Sequence, residues 1–269
     1  MKIGFIGAGK AGCSLASYFI SMGEEIAGFY SPHNKVNMFR NYSSVEEVAD
    51  NSELLIVSVK DDAISDVWHD LKNKHIKCKT VCHLSGSLTS SVFDSPGEIS
   101  VCSMHPLLAF NSVNTPVEAI GRAYFTLEGD DNAVRVLSDL LERCGNRYKV
   151  IKAENKTLYH AAACFVSNFV TAVCAEGFSI LEKSCGFTDK EAQEAFGALI
   201  EENARNVCKN GIKGSLTGPV SRGDAGTVIK HMKALSGREK EIYKMLSEVL
   251  AEESGHRELL SVIETEKSI

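Results

Sequence analysis

The chain has 269 residues, of which 44% are hydrophobic and 24% charged, a composition typical of a globular protein long enough for about two domains. Its formal net charge is −6 and no basic stripe runs along it, so nucleic acid is not an expected partner. The nine cysteines, an odd number, favour a reducing compartment over a disulfide framework, and we expect a cytoplasmic protein.

Short apolar runs alternate with amphipathic stretches in the first half of the sequence. The runs typical of strands are Lys2–Ile6, Glu25–Tyr30, Leu54–Val59, Thr80–Leu84, Ser100–Met104, Tyr124–Glu128 and Arg147–Ile151. The stretches with helical periodicity are Lys10–Met22, Ala63–Lys72 and Asn132–Cys144. This alternation predicts an α/β fold, with a doubly wound, mostly parallel sheet in an N-terminal domain over residues 1–152.

The turn after the first run is rich in glycine. It reads Gly7-Ala8-Gly9-Lys10-Ala11-Gly12, which matches G-x-G-x-x-G between a strand and a helix. In such a loop Gly7 permits a tight turn, Gly9 lets the backbone approach a pyrophosphate, and Gly12 lets the helix pack closely on the strand. The helix N-terminus adds free N–H groups for the phosphates. We therefore predict a Rossmann domain that binds a dinucleotide through this loop; the alternative is a glycine-rich turn without a ligand.

The end of the second strand indicates which dinucleotide binds. A site for NAD usually carries Asp or Glu there, which binds the ribose 2′-hydroxyl. Here the sequence continues with Ser31, His33 and Lys35, with Arg40 nearby, and it offers no carboxylate. A hydroxyl and basic side chains suit a 2′-phosphate, so we predict NADP(H) as the cofactor. The alternative is that these bases only form a solvated loop.

Ser58, Val59 and Lys60 lie at the carboxyl end of the third strand. Ligands of open α/β sheets bind at that edge, so the backbone of these residues is expected to line the cofactor. Asp61 or Asp62 is expected to cap the helix that follows.

Two later strands end in polar side chains that should face the same crevice. Ser85 and Ser87 follow the fourth strand, and His105 follows the fifth. We predict that Ser85 and His105 bind the substrate by holding a carboxylate or carbonyl group. A purely structural role for His105 is the alternative.

The second half of the sequence has a different character. Helical periodicity dominates it, in Glu154–Ser184, Asp189–Asn210, Asp224–Leu235 and Arg238–Glu253. We predict an all-α domain over residues 153–269. Its most apolar stretch, residues 161–175, is interrupted by polar side chains and is shorter than the ~20 residues of a membrane span. We therefore expect a buried helix and no membrane contact.

A polar stripe runs along the first of these helices. It consists of His160, Cys164, Ser167, Asn168 and Thr171, at spacings that share one helical face. Reduction of a ketone needs a proton for the nascent alkoxide, and imidazole suits that task because its pKa lies near neutrality. We predict that His160 supplies the proton and Asn168 orients the substrate. The alternative is that both side chains only bridge helices.

Several segments together resemble one family. They are His83-Leu84-Ser85-Gly86-Ser87, Met104-His105-Pro106-Leu107, Tyr159-His160-Ala161-Ala162-Ala163 through Asn168, and Leu216-Thr217-Gly218-Pro219 through Arg222-Gly223-Asp224. The family combines a Rossmann-like N-terminus with a helical C-terminal domain of long-unknown function, within the phosphogluconate dehydrogenase-like superfamily. Some bacterial members are understood to be alternative ketopantoate reductases. The resemblance therefore implies NADPH-dependent reduction of 2-dehydropantoate (ketopantoate) to pantoate in pantothenate and coenzyme A synthesis.

The better-known ketopantoate reductases carry the helix pattern K-x3-N-x3-N-x2-T-A. In this sequence the second Asn matches Asn168, whereas His160 stands at the lysine position and Cys164 at the first Asn. The lysine mechanism of those enzymes therefore does not transfer directly. Lys156, one turn earlier, is an alternative proton donor, and a phosphate-binding or surface role for it is equally open.

The loop around Arg222 completes the predicted substrate site. It ends at Asp224, which is expected to cap the next helix. Arg222 is the best candidate to grip a substrate carboxylate, because guanidinium binds carboxylate in a fork. In the superfamily such loops often come from a neighbouring subunit, so the resemblance implies a homodimer.

The sequence leads to one principal function and two alternatives. The principal one is an NADPH-dependent reductase of a small 2-keto acid, with ketopantoate as the first candidate. The alternatives are a pyrroline carboxylate reductase-like imine reductase and a non-catalytic NADP-binding sensor. No metal is expected, because Cys78 and Cys82 lack a second ligand pair at zinc-site spacing.

Overall fold

The computed structural model describes residues 1–265 and contains a seven-stranded sheet within that range. The strands are β1 (Lys2–Ile6), β2 (Glu25–Tyr30), β3 (Leu54–Val57), β4 (Thr80–His83), β5 (Ser100–Pro106), β6 (Tyr124–Gly129) and β7 (Arg147–Val150). Their order is β2-β1-β3-β4-β5-β6-β7, and every neighbouring pair is parallel except β5 with β6. The order reverses at β1, which is where sheets of this kind bind ligands.

Helices cover both faces of the sheet. They are α1 (Lys10–Ser21), α2 (Val45–Asp50), α3 (Asp61–Lys72), α4 (Val117–Gly121) and α5 (Asp131–Arg143). Alternate residues of β3 enter opposite apolar layers: Ile56 packs in the layer that contains Phe19 of α1, and Leu55 in the layer that contains Trp68 of α3. The predicted α/β class and mostly parallel sheet are confirmed. The short helices α2 and α4 were not predicted.

The long helix predicted from Glu154 to Ser184 is interrupted. It forms α6 (Lys156–Val166) and α7 (Asn168–Cys185), and Ser167 between them has φ −126° and ψ −79°, outside the helical range. The polar stripe predicted along one continuous face therefore does not hold, because Asn168 and Thr171 follow the break.

The prediction that this apolar helix is buried is wrong. Leu158, Phe165 and Val166 are 74%, 68% and 78% exposed. By length and composition alone, Ala153–Cys185 is long and apolar enough to cross a membrane. Its most apolar stretch has a mean hydropathy of 1.6, and none of that stretch is buried inside the chain. Large apolar side chains that are this exposed either lie against another molecule or form an apolar patch that faces water.

The chain divides into two compact units, with the boundary between Phe169 and Val170. The first contains the sheet and α6, because Lys156 and Tyr159 of α6 contact β5. The second unit is helical throughout its described part and contains α8 (Asp189–Asn210), α9 (Gly218–Ser221), α10 (Ala225–Ala234), α11 (Gly237–Ser254) and α12 (Glu258–Thr265). Its own apolar core includes Val228, Met232 and Ile263.

Candidate functional site

The glycine loop after β1 has the geometry of a phosphate cradle. Gly7 has φ +99°, a conformation that favours glycine. A Cβ at Gly12 would collide with Ser58, whose hydroxyl donates to Gly7 O at 2.8 Å, so α1 packs tightly against the end of β3. At Gly9, by contrast, the nearest atom to an added Cβ is Ser58 O at 3.9 Å. The loop is therefore closed on its inner side and open at the glycine that a pyrophosphate approaches.

The first turn of α1 is suited to an anion. Gly9 precedes the helix, no side chain caps it, and the first turn, which includes Lys10 and Ala11, has no acidic residue. The backbone N–H groups of this uncapped first turn lack partners within the helix and suit a bound anion. At the neighbouring strand end, Val59 and Lys60 lead into α3. The residues present thus fit the phosphates of a dinucleotide.

The loop after β2 has the charge pattern expected for a 2′-phosphate. His33 and Lys35 are exposed and Ser31 is half-buried. In the described part of the chain, neither basic side chain forms an ion pair or an internal hydrogen bond. Arg40 lies with its guanidinium 4.5 Å from the centre of the Tyr42 ring. Two basic side chains therefore remain available to a ligand.

Asp61 differs from its predicted role. The cap position of α3 is held by Lys60, and Asp61 is the first helical residue. Its Oδ2 accepts hydrogen bonds from the hydroxyls of Ser85 at 2.7 Å and Ser87 at 2.9 Å. Ser85 is buried, and its Oγ also accepts from the backbone N–H of Ser87 and Leu88. The Ser85 hydroxyl is therefore engaged in shaping the loop after β4.

His83 lies beneath this loop and was not predicted as a site residue. Its Nδ1 accepts from the N–H of Ser85 at 3.1 Å, so the ring proton sits on Nε2, which donates to Thr89 O at 3.2 Å. Burial lowers the pKa of His83 to about 4. The ring is therefore a neutral structural support for the loop.

His105 and His160, predicted from separate segments, lie together. Their ring centres are 5.9 Å apart in an edge-to-face arrangement, and His105 Nδ1 is 2.7 Å from the hydroxyl of Tyr159. A Cβ added at Gly86 would lie within 3.0 Å of His160 Nδ1 and of His105 Nε2. Both rings therefore rest against the bare backbone of Gly86, a residue that sequence reasoning did not single out.

A buried lysine stands beside these histidines. Lys156, at the start of α6, is completely buried, and its ammonium donates to the hydroxyl of Ser103 on β5. Burial lowers the pKa of Lys156. Burial also lowers the pKa of His105 to about 4, and the neighbouring Lys156 charge acts in the same direction. Lys156 is thus inside the fold, not at the surface.

Two predicted residues are exposed and make no contact with ligand-binding groups of their own unit in the described chain. Asn168 is exposed at the start of α7, and Arg222 is exposed in the second unit, directly after α9. Asp224 caps α10 by accepting from Thr227 N at 3.0 Å, which confirms that prediction.

Two family models match the chain. Residues 2–82 match the family described as "NADP oxidoreductase coenzyme F420-dependent", and residues 123–250 match "Domain of unknown function (DUF2520)". The N-terminal segment is therefore similar to an NADP oxidoreductase family. This match confirms the predicted class of protein, an NADP-dependent oxidoreductase, and the predicted cofactor.

Solved structures are similar over nearly the whole chain. A protein from Thermotoga maritima is 25% identical with a TM-score of 0.77, over 95% of this chain and 99% of that one. A protein from Bacteroides fragilis is 23% identical with a TM-score of 0.72, over 93% and 98%. Pyrroline carboxylate reductase from Plasmodium falciparum with NADP bound is 18% identical with a TM-score of 0.63, over 96% and 98%. Among curated proteins none matches.

Proposed function

We propose that the protein is an NADPH-dependent reductase of a small 2-keto acid, and that its first candidate substrate is ketopantoate, reduced to pantoate. The observation that carries the proposal is the cluster of His105, His160 and Lys156 at the same sheet edge as the open glycine loop. The carboxyl ends of β1, β3, β4 and β5 follow one another along that edge. At about 4.8 Å per strand they span roughly 14 Å, a distance that an extended dinucleotide bridges.

Each part of the reaction has a candidate residue. When bound, NADPH supplies a hydride to the ketone carbon. His160 delivers a proton to the ketone oxygen, so that the carbonyl becomes a hydroxyl. His105 positions the substrate, with Asn168 as the further orienting side chain once the ligand is present. Ser85 supports this arrangement from the loop after β4.

A negatively charged substrate fits the charges of the site. The protonated amine of buried Lys156 creates a positive potential that favours an anionic substrate over a neutral one. Arg222 is exposed and makes no ion pair within the described residues, so its fork of donors is available to a carboxylate. We propose that Arg222 provides that contact, in its own subunit or a neighbouring one.

The test is a direct assay. Purified protein is mixed with NADPH and ketopantoate, and the absorbance of the reduced cofactor is followed, with NADPH affinity measured separately by calorimetry. Oxidation that depends on ketopantoate supports the proposal. Tight NADPH binding without oxidation excludes ketopantoate as the substrate. If no keto acid is reduced, the NADP-binding sensor is the function that fits.

An imine reductase is the second candidate, because the fold is shared with pyrroline carboxylate reductase. Reduction of a cyclic imine creates no alkoxide, so it needs less help from a proton donor. The variant His160→Ala distinguishes the two reactions. An undiminished maximal rate with a cyclic imine favours imine reduction, whereas a large loss with the keto acid favours the first proposal.

We also propose that the protein acts as a cytoplasmic homodimer, with the exposed apolar side chains at the end of α6 covered by a second copy. Phe165 and Val166 are 68% and 78% exposed, and Phe165 packs edge-to-face against the exposed Phe169. Light scattering coupled to gel filtration is expected to give twice the chain mass, and Phe165→Glu is expected to reduce it. A monomer that co-sediments with lipid vesicles would instead assign these side chains to a membrane.

A further inference from the structure

Tyr159 contacts the histidine cluster but carries no predicted role. It lies on α6 directly before His160, and its hydroxyl is 2.7 Å from Nδ1 of His105 on β5. The rings of Tyr159 and His105 also meet edge to face, with their centres 5.7 Å apart. A hydrogen bond and a ring contact therefore join α6 to the histidine that is proposed to position the substrate.

The groups around the phenol decide which partner donates in this hydrogen bond. Either the phenol donates to a bare Nδ1, or a protonated Nδ1 donates to the phenol oxygen and the phenol proton needs another acceptor. Burial raises the pKa of Tyr159, and Thr126, directly opposite His105 across the β5–β6 ladder, acts in the lowering direction as a nearby donor does. The Thr126 hydroxyl has no hydrogen-bond partner among the described residues, so it does not take the phenol proton. Because an unpaired donor inside the fold is costly, the phenol donates to Nδ1.

The other nitrogen of the His105 ring, Nε2, then carries the ring proton. It makes no hydrogen bond within residues 1–265, and it lies within 3.0 Å of the position that a Cβ on Gly86 would take. The buried Nδ1 of His160 also has no partner there, and it lies within 3.0 Å of the same position. Two ring nitrogens without protein partners therefore converge on one bare stretch of backbone, where a small polar group of a ligand can reach both.

We propose that Tyr159 is a positioning residue that makes His105 a hydrogen-bond donor to the substrate: by donating to Nδ1, the phenol keeps the ring proton on Nε2, beside Gly86. A donor at this place contacts an acceptor, such as the carbonyl or carboxylate oxygen of a 2-keto acid. A protonated imine nitrogen is itself a donor and does not suit the position. The consequence for the substrate rests on the proposed function, whereas the position of the ring proton does not.

The position of the ring proton is measured by ¹⁵N NMR of the full chain at neutral pH without substrate, because protonated and bare ring nitrogens differ strongly in ¹⁵N chemical shift. The His105 signals are assigned by their loss in His105→Gln. Tyr159→Phe removes the hydroxyl and keeps the ring. Tyr148→Phe is the matched control, since it removes another phenol hydrogen bond of 2.7 Å, to Glu142 of α5, in the same unit.

In the natural protein and in Tyr148→Phe we expect a protonated Nε2 and a bare Nδ1 on His105. In Tyr159→Phe, Nδ1 loses its donor and the other tautomer becomes populated, so both ¹⁵N shifts of His105 are expected to change. A proton on Nδ1 in the natural protein overturns the proposal, and this result does not require any variant to fold. Identical His105 shifts in Tyr159→Phe and in the natural protein overturn it as well.

A binding measurement tests the consequence for the substrate. Ketopantoate is titrated by calorimetry into protein saturated with NADP⁺, which has no hydride to transfer. Loss of one hydrogen bond is expected to weaken ketopantoate binding roughly fivefold in Tyr159→Phe and to leave it unchanged in Tyr148→Phe. Equal affinities in Tyr159→Phe and the natural protein overturn the role of Tyr159 in substrate binding. If ketopantoate does not bind the natural protein, the proposed substrate fails, and the NMR result still decides which atom of His105 carries the proton.

Discussion

Gly86→Ala places a single methyl group between the two histidines of the site. The backbone of Gly86 does not have positive φ, so alanine is compatible with it. The new Cβ would lie within 3.0 Å of His160 Nδ1 and His105 Nε2, and an ordinary contact begins at 3.4 Å. The rings must therefore retreat by roughly 1 Å, a misplacement that costs a catalytic group about 100-fold in rate.

The same methyl group overpacks a buried position, for which a loss of about 1–3 kcal/mol in the free energy of unfolding is typical. We expect kcat/KM for the keto acid to fall by about 100-fold, while NADPH affinity stays within about twofold because the glycine loop is untouched. The measurements are steady-state NADPH oxidation, calorimetric titration and urea unfolding. Gly197→Ala is the matched control, since a Cβ there meets nothing within 4 Å. Full activity in Gly86→Ala would refute the assignment of the two histidines to the site.

Three further predictions concern the cofactor and pH. Gly9→Ala, whose Cβ would meet only one atom, at 3.9 Å, should leave unfolding unchanged but weaken NADPH binding at least about tenfold by calorimetry; unaltered binding contradicts the cradle. The double variant His33→Ala, Lys35→Ala should weaken NADPH binding by about 30-fold or more and leave NADH binding unchanged, since each hydrogen bond to the charged phosphate contributes about 1 kcal/mol or more; equal losses for both cofactors would contradict a 2′-phosphate site. His83 and His105 have folded pKa values of about 4, below the ordinary 6.5, so the unfolded chain binds protons first as pH falls. Stability should be complete above pH 6.5 and fall between 6.5 and 4, by up to about 3 kcal/mol for buried His83, in urea unfolding.

The sheet was predictable because buried parallel strands appear in sequence as continuous apolar runs. All seven predicted strands begin at the residue found in the structure, and Asp189–Asn210 has both predicted bounds. The short α2 and α4 lacked a long enough period to detect. The exposure of α6 and α7 could not be predicted from the sequence. An apolar helix has the same sequence pattern whether it is buried within its own chain or against another molecule.

The site was predictable in part. His105 and His160 were expected near the substrate, and the structure brings them together at Gly86. Sequence periodicity did not show that Lys156 points inward, because its position near a helix start suits a surface side chain equally well. Asp61 was assigned to a cap because that is the common role of an acid at a helix start. The burial of Lys156 and the hydrogen bonds of Asp61 depend on contacts between distant segments, which local sequence patterns do not encode.

Coupled consumption of cofactor and keto acid is the most direct test of the proposed reaction. Stoichiometric oxidation of NADPH with ketopantoate, much slower with NADH and at least about 100-fold slower in His160→Ala, is the result that the proposed site predicts. Tight NADPH binding with no oxidation by any 2-keto acid, or a rate unaffected by His160→Ala, would contradict it.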